Sequence, residues 1–241
     1  MAGTPIYKRI LLKISGEGLM SPEKTIDPKI LGNIASEIKE VVEMGVQICL
    51  VVGGGNIFRG ISGASAGMNR ATGDYMGMLA TVINALALQE ALEKKGVLTR
   101  VQSAIPMDAV AERFIRRKAL SHLEKGRVVI FAAGTGNPYF TTDTCAALRA
   151  TEMNCDVFFK STQVDGIYEE NPKENPNARR YDKVSYATVL KKGLKVMDLT
   201  AVAMAQEGKL PVLVFNQGQA GALKDAVCGE GVSTLMSEEG E

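Results

Sequence analysis

The sequence has one histidine, His122, and four cysteines, Cys49, Cys145, Cys155 and Cys228, none of them in a C-x-x-C pair. A zinc site or a disulfide framework is therefore not expected, and no protein metal ligands are assigned. The thiols are expected to be buried or half-buried small hydrophobes. His122, in "ALSHLEKG", is placed at a helix terminus or on the surface, not as a general base. Excess charge is also missing. A net charge of +1 argues against a general nucleic-acid binder, so any anion must be held by local Lys, Arg and backbone N–H groups. No run of about 18 apolar residues is seen, which predicts no transmembrane helix. The N-terminus, "MAGTPIYKRILLKISGEG", has its apolar stretch broken by Lys13 and lacks the layout of a secretory signal. A cytoplasmic protein with no membrane or nucleic-acid partner is the expectation.

What is present is an alternation. The 241 residues, 46% hydrophobic, suffice for one large α/β domain or two small ones. Apolar, β-compatible runs at 7–15, 46–52, 97–103, 127–133, 156–161, 210–215 and 231–237 read as strands. Between them, helical patterns are expected at 72–95, 111–126, 142–154, 185–193 and 198–208, with a short helix near 220–229. Another helix opens at Asp27-Pro28, an N-cap followed by proline at the first helical position, and stops at Gly45. Residues 169–183 read as a polar surface loop. No repeat or linker breaks this rhythm, which predicts a mostly parallel sheet covered by helices on both faces.

Ligands of such sheets bind beyond the carboxyl ends of the strands. Three of these exits carry glycine: Lys13-Ile14-Ser15-Gly16, then Gly53-Gly54-Gly55-Asn56 with Arg59 and Gly60, and Gly134-Thr135-Gly136-Asn137-Pro138. Neither a Walker loop nor a dinucleotide loop fits "VVGGGNIFRG". A lone glycine triplet is as well explained by tight packing. Three glycine loops with Lys13 and Arg59 nearby point to phosphate, and to more of it than one mononucleotide carries. Lys13 reads either as a snorkelling edge lysine or as a cation on a transferring phosphoryl group. Lys160, ending the strand "DVFFK", shares that ambiguity. Asp143 is either a helix N-terminal acid or the partner of those lysines.

Taken together, "YKRILLKISGE", "VVGGGNIFRG", "GMNRATGDYMGMLATVINALAL", "FAAGTGNPYFTTDTCAALRA", "VDGIYEENP" and "LKVMDLTA" resemble the bacterial uridylate kinases of the amino-acid-kinase fold, over roughly residues 6 to 237. The resemblance implies a three-layer αβα sandwich in a single domain over 1–241. Its acceptor-binding part would span about 1–155 and its ATP-binding part about 156–241. It implies transfer of the γ-phosphoryl group of ATP to UMP, with Mg²⁺ carried on the nucleotide phosphates. Lys13, Ile14, Ser15, Gly16, Gly55 and Arg59 would lie along the ATP phosphates, and Thr162, Tyr168 and Asn171 at adenosine. Gly54, Asp74 and the run Thr135, Gly136, Asn137, Pro138, Tyr139, Phe140, Thr141 and Thr142 would hold UMP. Lys13, Arg59, Asp143 and Lys160 would form the catalytic set. A homohexamer is implied, with the apolar surface of the 72–95 helix serving either the core or subunit contacts.

The family's effectors would be UTP as inhibitor and GTP as activator. The short stretch "GLMSPEKTID" after Glu17 counts against GTP control. Gln163 and Asn171 stand where the family more often has lysine and aspartate, which predicts altered ATP affinity with activity retained. Three rival readings remain: a carboxylate or carbamate kinase of the same fold, a nucleotide-binding storage or regulatory protein, and a dinucleotide-dependent oxidoreductase.

Overall fold

The computed structural model describes residues 3–59 and 67–241. Gly60 and the stretch 61–66, part of the glycine-rich loop read above, lie outside the described residues. The strands are β1 (Arg9–Ile14), β2 (Gln47–Val52), β3 (Thr99–Ser103), β4 (Glu112–Arg113), β5 (Val128–Ala132), β6 (Val157–Thr162), β7 (Ile167–Tyr168), β8 (Arg180–Tyr181), β9 (Lys183–Ser185), β10 (Val212–Asn216) and β11 (Ser233–Ser237). The helices are α1 (Pro28–Glu43), α2 (Arg70–Lys94), α3 (Arg116–Glu124), α4 (Thr142–Glu152), α5 (Tyr186–Lys192), α6 (Leu199–Glu207) and α7 (Ala222–Val227).

Nine strands form one sheet in the order β4-β3-β5-β2-β1-β6-β10-β11-β9. Pairing is parallel from β4 across to β10, and β11 then runs antiparallel to β10. Along β1 the side chains alternate between two cores, as a strand buried on both faces requires. Ile10, Leu12 and Ile14 join Ile38 of α1, Leu88 of α2 and Leu223 of α7. Leu11 points the other way, to Leu123 of α3, Ala146 of α4, Val189 of α5 and Val202 of α6. This is the expected αβα sandwich.

Two expectations are corrected. Helix was expected over 111–126, but Glu112 and Arg113 pair with Gln102 and Ser103 of β3, and α3 begins only at Arg116. Phe114 explains the difference. Its N–H donates to Ser103 O at 2.9 Å and its ring meets Phe131 edge-on at 5.5 Å, so sheet pairing and packing override the helical period. The loop at 169–183 also contains structure: Arg180–Tyr181 pairs antiparallel with Ile167–Tyr168, and β9 lies beside β11. His122 ends α3 as expected but is buried, with Nε2 3.0 Å from Glu112 Oε2. Cys49 and Cys145 are buried, and Cys155 and Cys228 half-buried, all free thiols as expected.

The helix read at 72–95 starts two residues earlier, because Asn69 caps it by accepting from the Ala71 and Thr72 N–H groups. By length and composition alone α2 is long and apolar enough to cross a membrane, with mean hydropathy 1.2 over 18 residues, but 44% of that window is buried inside the fold. Ala85, Leu88 and Leu92 pack it against the sheet, while Tyr75, Met76, Leu79 and Ile83 face outward.

Candidate active site

The site is built where β1, β2, β5 and β6 end. Lys13 on β1 and Lys160 on β6 are direct partners in the parallel register. They therefore project from the same face, the one covered by α3 to α6. β1 lies between β2 and β6, and Lys13 and Lys160 are only 8% and 7% exposed. The snorkelling-edge reading of Lys13 thus fails on geometry. Two adjacent buried ammonium groups need an anion, and Asp143 in the first turn of α4 supplies it. Lys160 Nζ lies 2.5 Å from Asp143 Oδ2 and Lys13 Nζ 3.0 Å from Oδ1. The Lys13 contact is an ion pair without hydrogen-bond alignment, so the buried Oδ1 has no hydrogen-bond donor.

Burial alone would raise the Asp143 carboxyl, but Lys13 and Lys160 together hold it below the usual range. Burial pulls the Lys160 ammonium below its ordinary value, against the opposing pull of Asp143. Two cations thus share one carboxylate, and Asp198 adds a further attraction on Lys160.

Thr141 caps α4 by accepting from the Asp143 and Thr144 N–H groups. The hydroxyls of Thr141 and Thr144 donate to Asp198, at 2.5 Å to Oδ2 and 2.8 Å to Oδ1, and Asp198 in turn caps α6. The sequence reading recognised "LKVMDLTA" as a motif but gave Asp198 no place at the site. An aspartate opening a helix is ordinarily explained by capping alone, so only tertiary contact reveals its second task.

The three glycine loops differ in what their glycines do. A Cβ on Gly53 would sit 2.9 Å from Gly16 N, and one on Gly54 2.7 Å from Gly77 O of α2. Packing thus accounts for both. Only Gly55 is open, with Arg59 Nε its nearest neighbour at 3.8 Å. Arg59 is 57% exposed, pairs with Glu17 in the 3-10 turn Gly16–Leu19, and donates from Nε to Gly55 O at 3.3 Å. In the third loop Ala133, Gly134 and Gly136 all have positive φ. Ala133 is a buried non-glycine residue at φ 61°, held because its N–H donates to Thr81 Oγ1 at 2.8 Å.

Of the residues expected at UMP, Gly54, Asp74, Thr135, Asn137, Phe140, Thr141 and Thr142 line one small cavity of about 140 Å³. Gly136 instead packs against Ala104, and neither Pro138 nor Tyr139 lines the cavity. The Tyr139 N–H donates to Asp74 Oδ2 at 2.8 Å while its ring is exposed. Asp74 is also held by Arg70 Nε at 2.8 Å. Of the residues expected at adenosine, Thr162, Tyr168 and Asn171 share a second cavity of about 490 Å³, floored by Ile167, Leu194 and Val196. There the Tyr168 hydroxyl donates to Asp165, and Asn171 bonds within its own turn to Glu174 and Lys173. The Lys13–Asp143–Lys160 group belongs to neither cavity. Among the described residues no cluster of three metal-ligating side chains occurs.

A third cavity, of about 750 Å³, lies between α1 and the loop after β10, with Ser15 and Thr162 on its rim. Sequence reasoning missed it. Glu37 lines it, and burial pushes its carboxyl up to about 7 from an ordinary 4.5, against a backbone hydrogen bond from Gly221. A carboxyl that holds its proton more tightly when folded loses folding stability as pH rises from its unfolded value to its folded one. The wild-type protein should therefore lose melting temperature relative to Glu37→Gln between about pH 4.5 and about 7, and run parallel to it above. Thermal melts of both proteins across that range check this, and parallel curves throughout would refute it.

The model of the amino acid kinase family matches residues 8–216, and the chain belongs to that family. Its relatives narrow the class further. It is 58% identical over 240 residues, 99% of this chain and 100% of the relative, to a protein named uridylate kinase from Paramagnetospirillum magneticum. A crystal structure of UMP kinase from Bacillus anthracis is 40% identical with a TM-score of 0.93, covering 97% of each chain. UMP kinase from Ureaplasma parvum is also 40% identical, with a TM-score of 0.91 over 95% of this chain and 98% of that one. Within the amino acid kinase family the chain stands with the uridylate kinases.

Proposed function

We propose that this chain is a UMP kinase, transferring the γ-phosphoryl group of ATP to UMP to give ADP and UDP. The observation that carries the mechanism is the buried Lys13–Asp143–Lys160 group at the ends of β1 and β6. A phosphate oxygen of UMP, already ionised at pH 7, forms the new bond to the γ-phosphorus. The bond from that phosphorus to the β–γ bridging oxygen breaks, and its electron pair leaves with ADP. No general base is needed, which suits a chain whose one histidine is tied to Glu112. Catalysis of such a transfer is positioning and charge stabilisation. Lys13 and Lys160 stabilise the equatorial oxygens, Arg59 closes over the phosphates from the open side of Gly55, and Asp143 keeps the two lysines apart and aimed.

ATP is assigned to the 156–241 part, with Thr162, Tyr168 and Asn171 at adenosine and the Lys13–Gly16 segment along the phosphates. UMP is assigned to the 1–155 part, through Gly54, Asp74 and Thr135 to Thr142. The donor set fits Mg²⁺ carried by substrate: Asp143 is committed to two lysines and Asp198 to two threonines. Phosphate oxygens and water would then supply most of the ion's ligands, and its charge would offset that of the phosphates. A cytoplasmic homohexamer inhibited by UTP, with GTP control weakened by the short segment after Glu17, completes the proposal. The storage-protein reading is disfavoured because both phosphate cations, Lys13 and Arg59, are retained.

The test is ADP release from purified protein with Mg-ATP and UMP, CMP, AMP or no acceptor. Release with UMP alone is expected. Equal release with all three, or none from protein that still binds UMP, would overturn the assignment.

A further inference from the structure

Asn84 lies in the middle of α2 and is completely buried. A polar side chain there is costly unless fully hydrogen-bonded, and this one is. Its Nδ2 donates at 2.7 Å to Gly53 O and at 2.7 Å to Asn56 Oδ1. Its Oδ1 accepts from Asn56 Nδ2 at 3.1 Å. Asn56 Nδ2 also donates to Thr25 O at 2.8 Å. The two carboxamides thus tie three pieces of chain together: the helix, the loop after β2, and the segment leading into α1.

The loop they hold is packed directly on the first glycine loop. A Cβ on Gly16 would meet Asn56 Oδ1 at 2.5 Å, Gly55 N at 2.7 Å and Gly53 O at 2.9 Å. The Gly53 N–H donates to Ile14 O at 2.9 Å. The ladder pairs β1 and β2 as far as Ile14 and Val52; beyond it, Asn56 packs on Gly16 and so bounds how closely the two loops approach. One turn earlier on α2, Thr81 accepts from the N–H of Ala133, the strained residue that opens the third loop.

We infer that Asn84 is a positioning residue for phosphoryl transfer, setting the separation between the Lys13–Gly16 and Gly53–Asn56 loops through its paired carboxamide bonds with Asn56. The inference rests on the phosphoryl-transfer reading above. It touches no substrate itself. Its carboxamide is required because the two loop oxygens it serves, Gly53 O and Asn56 Oδ1, both need donors. An aspartate at 84 would present acceptors to acceptors.

The test compares Asn84→Ala with Leu92→Ala, a buried residue two turns further along the same helix and away from every loop of the site. Both remove packed atoms from α2, so both should lower the melting temperature. Only Asn84→Ala should lower kcat per folded molecule, by roughly 10- to 100-fold for a loop misplaced by about an ångström, with KM for UMP changed far less. Hydrogen exchange of the backbone amides of residues 53–58 should quicken in Asn84→Ala and not in Leu92→Ala. This readout does not depend on UMP being the acceptor, so it separates failure of the tether from failure of the assigned reaction. Asn56→Ala should reproduce the kcat loss, and the double variant should lose no more than the worse single one. If Asn84→Ala does not fold, Asn56→Ala decides the matter alone. Equal kcat in the two α2 variants, or unchanged exchange at 53–58, would overturn the inference.

Discussion

Replacing Asp143 by asparagine is expected to lower the melting temperature of the nucleotide-free protein by roughly 10 °C, because breaking a buried ion pair costs about 3–5 kcal/mol and each kcal/mol is worth about 2–4 °C in a chain of this size. The substitution keeps the shape and removes the charge. Lys13 and Lys160, with side chains 10% and 9% exposed, would then face each other across β1 and β6 without the carboxylate that bridges them. Turnover should fall by about 100-fold or more, the usual scale for disordering charge-stabilising groups at a reacting centre. A nucleotide gives this prediction a second handle. If the lysines hold transferring phosphates, Mg-ATP should restore more of the lost melting temperature in Asp143→Asn than it adds to the wild type, since its phosphates replace the missing anion. A variant that melts with the wild type in the absence of nucleotide would show that Asp143 does not carry the charge balance of the site. Destabilisation that Mg-ATP does nothing to relieve would leave the triad structural and move the phosphate elsewhere.

Much of this was legible in the sequence because it depends on local rules. The Asp27-Pro28 start of α1, the capped helices and the apolar strands follow from periodicity and capping. The glycine loops announced themselves by composition. What the sequence could not settle was the reason for each glycine. Gly53 and Gly54 are explained by backbone packing on Gly16 and on α2, while Gly55 alone is open toward Arg59; these contacts join segments distant in sequence. The same limit hid Asp198, whose capping task masked its bonds to Thr141 and Thr144. It also hid Asn84, a single polar residue in an apolar helix. The mistaken helix at 111–115 shows the converse case, where a helical pattern gave way to two residues of edge pairing and the packing of Phe114.

Arg59→Ala is expected to lower turnover by about 10²–10³-fold while leaving the melting temperature almost unchanged. The two halves of that statement come from different observations. Arg59 is 57% exposed and its ion-pair partner Glu17 is 42% exposed, and an exposed pair of this kind contributes about 0–1 kcal/mol at most. Its loss should barely register in folding. Yet Arg59 stands over Gly55, the one glycine of its triplet with free space above it, and its link to Glu17 joins the first glycine loop to the second. A guanidinium there can turn from the carboxylate to a phosphate and bind it with two parallel N–H groups, which no other exposed side chain of these loops can do. Arg59→Lys separates charge from geometry. It keeps the positive charge but not the fork, so it should recover only a small part of the lost turnover. The measurement is kcat and KM for ATP and UMP in wild type, Arg59→Ala and Arg59→Lys, with melts of all three. A loss confined to KM would make Arg59 a ground-state anchor, binding substrate and transition state equally. Unchanged turnover in Arg59→Ala would remove it from the phosphoryl site and leave that role, among the described side chains, to Lys13 and Lys160.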